Sequence, residues 1–195
     1  MSPLHAWVLA ASSTLAPGRS HDRLAEAITN RVEMEAPLFK NDEDKKRTAS
    51  FLVAVAFRES SLKADVVGDF RNGKPTSFCA FQVHTWDGKT QEGWTGPELA
   101  EDPNKCVTVA MRMLRQSMKS CPDHPLATYA EGPKGCESPR GQRISRDRLA
   151  IAQHLLRKVP FDPNPAPMPR DDERSRADAA LGSVAASRTR RFCAP

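Results

Sequence analysis

The chain has 195 residues, 39% of them hydrophobic, enough to build one core and too few for two full domains. Its formal net charge of +5 suits an anionic partner such as a cell wall, a nucleic acid or a lipid headgroup, but the charge is spread along the chain and is permissive rather than diagnostic. No segment is long and apolar enough to cross a bilayer.

Residues 1–19 contain the apolar run Ala6-Trp7-Val8-Leu9-Ala10-Ala11, followed by Ala16-Pro17-Gly18. The run has the length of a signal-peptide apolar region, and Thr14 and Ala16 suit a small-residue cleavage rule, although no Lys or Arg precedes it. The segment reads as a signal peptide or a flexible N-terminus. A folded domain is expected over residues 20–159. Ser20 or Asp22 can cap its first helix, with Leu24, Ala27, Ile28 and Val32 on one face. The mixed run Asp42-Glu43-Asp44-Lys45-Lys46-Arg47 reads as the solvated first turn of a second helix, over about residues 44–60. Within it Leu52, Val55, Ala56 and Glu59 fall on one side.

Residues 64–100 are loop-rich, punctuated by Gly68, Gly73, Pro75, Gly88, Gly93, Gly96 and Pro97. The apolar piece from Phe78 to Val83 fits a strand or one helical turn. Asp102-Pro103 opens a third helix with a capping side chain and Pro at its first position, and Val107, Ala110, Met111, Leu114 and Met118 form its stripe. A short apolar segment, Pro125 to Ala130, ends at Glu131-Gly132-Pro133. A last helix is expected from about Ser145, with Leu149, Ala152, Leu155 and Leu156 facing inward. Residues 160–195, rich in proline and then in charge, predict a disordered tail. The class is mainly α, with a glycine-rich loop region.

Cys79, Cys106, Cys121 and Cys136 lie inside the domain and Cys193 lies in the tail. In an oxidising compartment the first four can form two disulfides, in any of three pairings. Zinc held by Cys121, His124 and Cys136 is an alternative, but that spacing fits no standard finger pattern. There is no P-loop, no GxGxxG and no His-Glu-x-x-His signature, and no cofactor is implied.

Glu59 closes the stretch Phe51-Leu52-Val53-Ala54-Val55-Ala56-Phe57. A carboxyl group at the end of a helix apolar all round is partly desolvated and faces the negative end of the helix dipole. Both effects favour the protonated acid, the form a general acid needs near neutral pH. The plainer alternative is a solvated Glu at a frayed helix end, neutralised by Arg58.

Four blocks then stand in a suggestive order: Ala54 to Leu62 with Glu59-Ser60; Cys79-Ala80-Phe81-Gln82-Val83; Asp102-Pro103 with the Val107 to Leu114 helix; and Leu126-Ala127-Thr128-Tyr129-Ala130-Glu131-Gly132. Together they resemble the lysozyme-like catalytic domain of lytic transglycosylases, related to goose-type lysozyme, over roughly residues 21–158. The resemblance implies a lysozyme-like fold that cleaves the β-1,4 bond between N-acetylmuramic acid and N-acetylglucosamine in peptidoglycan. It implies Glu59 as a single acid and base, with Ser60, Ser77, Gln82 and Tyr129 binding substrate. The chain departs from the family at Cys79, which stands where the family has glycine, at Thr76 and Ser77 just upstream, and at Glu131.

The product can be an anhydro-sugar, or a reducing sugar if Asp65 or Asp69 activates water as in a muramidase. Both aspartates also suit turn positions beside Gly68. Trp86 and Trp94 can stack on sugar rings or pack over the core, and His84 reads as a surface residue. A non-catalytic wall-binding module on the same fold is the rival reading. The expected partner is peptidoglycan, with no nucleic acid and no stable membrane insertion. The expected protein is an extracytoplasmic monomer, periplasmic or secreted.

Overall fold

The computed structural model describes residues 1–39 and 45–165. The acidic start of the mixed run and the tail from residue 166 therefore lie outside the described residues. Ser2–Pro163 form one compact unit; Met1 and Asn164–Pro195 are grouped as another, of which only Met1, Asn164 and Pro165 are described.

The compact unit is mainly helical. It contains α1 (Pro3–Leu15), α2 (Asp22–Met34), α3 (Lys45–Ser60), β1 (Val67–Arg71), β2 (Lys74–Phe78), β3 (Val83–His84), α4 (Gly96–Glu101), α5 (Pro103–Ser120), α6 (Ala127–Glu131) and α7 (Pro139–Lys158). Every residue from Thr48 to Ala56 is buried. A helix apolar on all sides has to be surrounded, and α1, α2 and α7 all pack on α3. The apolar run read as a leader or flexible N-terminus lies in α1, where Trp7, Val8 and Ala11 are buried. In this structure it is a packed helix, because its apolar face meets α2 and α3. Trp7 Nε1 donates to the Val159 carbonyl at 3.0 Å, which ties α1 to the end of α7.

Helix starts follow local chemistry, with two corrections. Asp102 caps α5 as expected, accepting from the Asn104 N–H at 2.9 Å with Pro103 at the first position. Neither Ser20 nor Asp22 caps α2. Its N-cap is His21, because the Ser20 hydroxyl is spent on the Asp22 carboxylate at 2.6 Å. The last helix begins at Pro139, six residues before Ser145. Ser138-Pro139 supplies a hydroxyl cap and a starting proline, the same device as Asp102-Pro103.

The loop-rich stretch holds more order than its glycines suggest. β1, β2 and β3 form an antiparallel sheet in that order, with Gly68 opposite Ser77 and Phe70 opposite Pro75. Asn72 and Gly73, at φ +51° and +72°, make the two-residue turn that suits twisted hairpin strands. Of the three cysteine pairings left open, the structure has Cys79–Cys106 and Cys121–Cys136. The second bond consumes both thiols of the zinc alternative, which is thereby overturned.

Candidate active site

Glu59 lies in the last turn of α3. The helix ends in a reversal that holds Ser61 and Leu62 at φ +55° and +62°, with Leu62 N–H reaching back to the Ala56 carbonyl at 3.3 Å. Glycine is the usual residue for such a left-handed exit. Two side-chain-bearing residues in that conformation are a local strain of the kind that collects at functional sites.

The surroundings of Glu59 differ from the apolar niche expected. Its side chain is 19% exposed, and Oε1 accepts a hydrogen bond at 2.7 Å from a terminal nitrogen of Arg148 on α7. Arg58 does not neutralise it, because Arg58 is turned to Asp147 and bonds both carboxylate oxygens, at 2.8 and 2.5 Å. Among the described residues nothing bonds Glu59 Oε2, and that oxygen is not enclosed. One oxygen is thus fixed and the other is open.

Tyr129 on α6 is the phenol of the site. Its hydroxyl donates to the Phe81 carbonyl at 2.5 Å, and its N–H donates to Ser117 Oγ on α5 at 3.0 Å. Burial pushes the phenol above its ordinary range, the negative charge of Glu59 adds to the push, and Arg148 opposes it. Glu59, Tyr129 and Arg148 therefore form one electrostatic cluster. Three of the four sequence blocks are bonded to one another around it. Tyr129 bonds to Phe81 in the second block, and Cys79 in that block is bridged to Cys106 in the third.

Gln82 is a different case. Its Oε1 accepts from Ser77 Oγ at 2.7 Å, and its Nε2 donates to the carbonyls of Cys79 at 3.1 Å and Val66 at 3.3 Å. Gly68 lies against it so closely that a Cβ there would stand 2.4 Å from Gln82 Oε1. Ser77 is fully buried, and the Ser60 hydroxyl returns to the Ala56 carbonyl at 3.0 Å. Ser60, Ser77 and Gln82 thus spend their polar atoms inside the protein. Cys79, where the resembling family has glycine, sits at φ +63°, a conformation that favours glycine, and its disulfide anchors it to α5.

The remaining candidates scatter. Asp69 lies in β1 rather than in a turn, and its carboxylate meets His84 at 3.3 Å with both side chains mostly exposed. Asp65 lines another groove with Arg19, His21, Arg23 and Lys63. Trp94 packs against the core under the Lys105 ammonium, 5.7 Å from its ring, and is not a free stacking face. Trp86 is 86% exposed and lines an open groove of about 500 Å³ with Phe70, Asp69 and His84. Tyr129 lines a separate groove of about 370 Å³ with Met113 and Gln116. Glu59 lines neither.

The sequence reading missed Arg148. The signal was present, since Arg148 falls in line with Ser145, Ala152 and Leu155, the buried face of α7. A cation on a buried stripe demands an anionic partner. No family model matches the chain, and comparison with curated proteins and with solved structures found no match.

Proposed function

We propose that the chain is a lysozyme-like enzyme that cleaves peptidoglycan glycan strands at the β-1,4 bond between N-acetylmuramic acid and N-acetylglucosamine. In this reading it acts as a lytic transglycosylase, with Glu59 as its single acid and base. The observation that carries the reading is Glu59 at the strained end of the central helix, with Oε1 held by Arg148 and Oε2 left unbonded among the described residues. The bonded blocks of the family-like pattern add support. Two disulfides fit maturation in an oxidising, extracytoplasmic compartment, and a net charge of +5 assists approach to an anionic wall. Among the described residues no helix is long and apolar enough to cross a membrane.

In the first half of the reaction the proton on Glu59 Oε2 passes to the glycosidic oxygen as the bond from C1 breaks with oxocarbenium character. In the second half Oε2 takes the proton of the sugar's own C6 hydroxyl, and the C6 oxygen closes on C1 to give the 1,6-anhydro ring. Trp86 and Phe70, exposed at 86% and 65% in their own open groove, offer aromatic faces on which sugar rings can stack.

A specific observation also favours the non-catalytic, wall-binding reading: the carboxylate is ion-paired, and Gln82, Ser77 and Ser60 are bonded internally. Mass spectrometry of material released from purified peptidoglycan separates these readings. Muropeptides with 1,6-anhydro ends are the expected result. Reducing ends would instead identify a muramidase, and wall binding without soluble products would identify a binding module.

A further inference from the structure

Arg148 is 9% exposed, and its bonding is incomplete. One terminal nitrogen donates to Glu59, the other makes a long contact of 3.4 Å to the Ile144 carbonyl, and Nε is buried with no acceptor. A buried guanidinium served this poorly is a weak device for stability. Such pairs are often replaced by apolar side chains of similar volume at no cost. Nor is Arg148 needed to join α3 to α7. One residue earlier on each helix, Arg58 and Asp147 already form a two-bond pair, with side chains 45% and 37% exposed. What Arg148 adds lies at Glu59. It occupies Oε1, restrains the carboxyl group and leaves Oε2 open.

We infer that Arg148 is a positioning residue for Glu59, holding Oε2 toward the scissile oxygen and stabilising the negative charge left on Glu59 when its proton departs. The inference rests on the glycan-cleaving reading above. When the Oε2 proton moves to the glycosidic oxygen, the electrons of the C1–O bond go to that oxygen and Glu59 is left as a carboxylate. The guanidinium already 2.7 Å away answers that charge without rearrangement, and such help accelerates the step because it is strongest where charge develops. When the C6 hydroxyl returns a proton to Oε2, the original state is restored. The charged partner of Glu59 is Arg148 on α7, while the Tyr129 phenol on α6 stays neutral because burial raises its titration.

The test compares three variants on solubilised glycan strands, with melting followed by circular dichroism. Arg148→Met is expected to lower kcat on the order of 100-fold with little change in KM, read at a temperature where the variant is folded, because removing one partner of a buried pair also costs stability. Arg148→Lys should restore part of the rate, because a cation returns without the planar fork. Arg58→Met, which breaks the neighbouring pair between the same helices, should keep the wild-type rate. Wild-type kcat in Arg148→Met overturns the inference, and so does an equal loss of rate in Arg58→Met. A loss that appears in KM alone, or one that Arg148→Lys does not relieve at all, assigns Arg148 to structure and overturns it too. A wild-type protein that cleaves nothing is a distinct failure: it removes the glycan-cleaving reading, and this inference with it.

Discussion

Glu59 and Gln82 are both polar side chains set against the same apolar interior, and the protein treats them in opposite ways. Glu59 gives one oxygen to Arg148 and keeps the other open. Gln82 gives its oxygen to Ser77 and its amide to two carbonyls, beneath a glycine that leaves no room for a side chain. A buried polar group with every bond satisfied organises a loop, whereas one with a free atom is available for chemistry. On this comparison the Gln82 network is the floor that shapes the region after α3, and Glu59 is the group left with an atom for the proposed chemistry.

The floor can be broken at its anchor first. Replacing Cys79 and Cys106 together by Ser should cost about 2–5 kcal/mol in denaturant unfolding, since it frees a closed loop and leaves the Cys79 backbone in a conformation that favours glycine. An unchanged midpoint would mean that the bridge does not hold the floor. Next in size, Gln82→Leu should destabilise by about 1–3 kcal/mol, because the Ser77 hydroxyl and two carbonyls lose their partner. If stability survives and cleavage is lost, Gln82 contacts substrate and the contrast with Glu59 fails.

The smallest effect is spectroscopic. Tyr129 is the chain's one tyrosine, so phenolate absorbance reports it alone. Burial, with Glu59 beside it, raises its titration above the ordinary value of 10.0. The folded state therefore holds the phenolic proton more tightly than the unfolded state. Its contribution to stability is fully present below 10.0 and is lost as pH rises above that value. Folded protein should show no phenolate while it stays folded, and denaturant should release the signal. A titration centred at the ordinary value in the native state would place Tyr129 in water.

Much of this was legible in the sequence where the cause is local. The stripe of α3 put Glu59 on the side of Leu52, Val55 and Ala56, and Asp102-Pro103 announced α5. Asn72-Gly73 also carried its signal, yet the surrounding glycines made the hairpin read as loop. The length of α7 was hidden in the same way by Gly135 and Gly141, although Ser138-Pro139 marked its start. What local pattern cannot supply is a partner far along the chain. Arg148 is 89 residues from Glu59, and the Gln82 network takes its third partner, the Val66 carbonyl, from before the hairpin. Those contacts exist only once α7 and the sheet have packed: they put an ion pair where an apolar niche was expected and give Gln82 internal partners.

Clearance of a purified peptidoglycan suspension by wild-type protein and by Glu59→Gln is the direct test. The amide keeps an oxygen for Arg148 but has no proton to give as an acid, so the variant should stay folded and lose on the order of 100-fold or more in rate. Equal clearance rates for the two proteins would contradict the account.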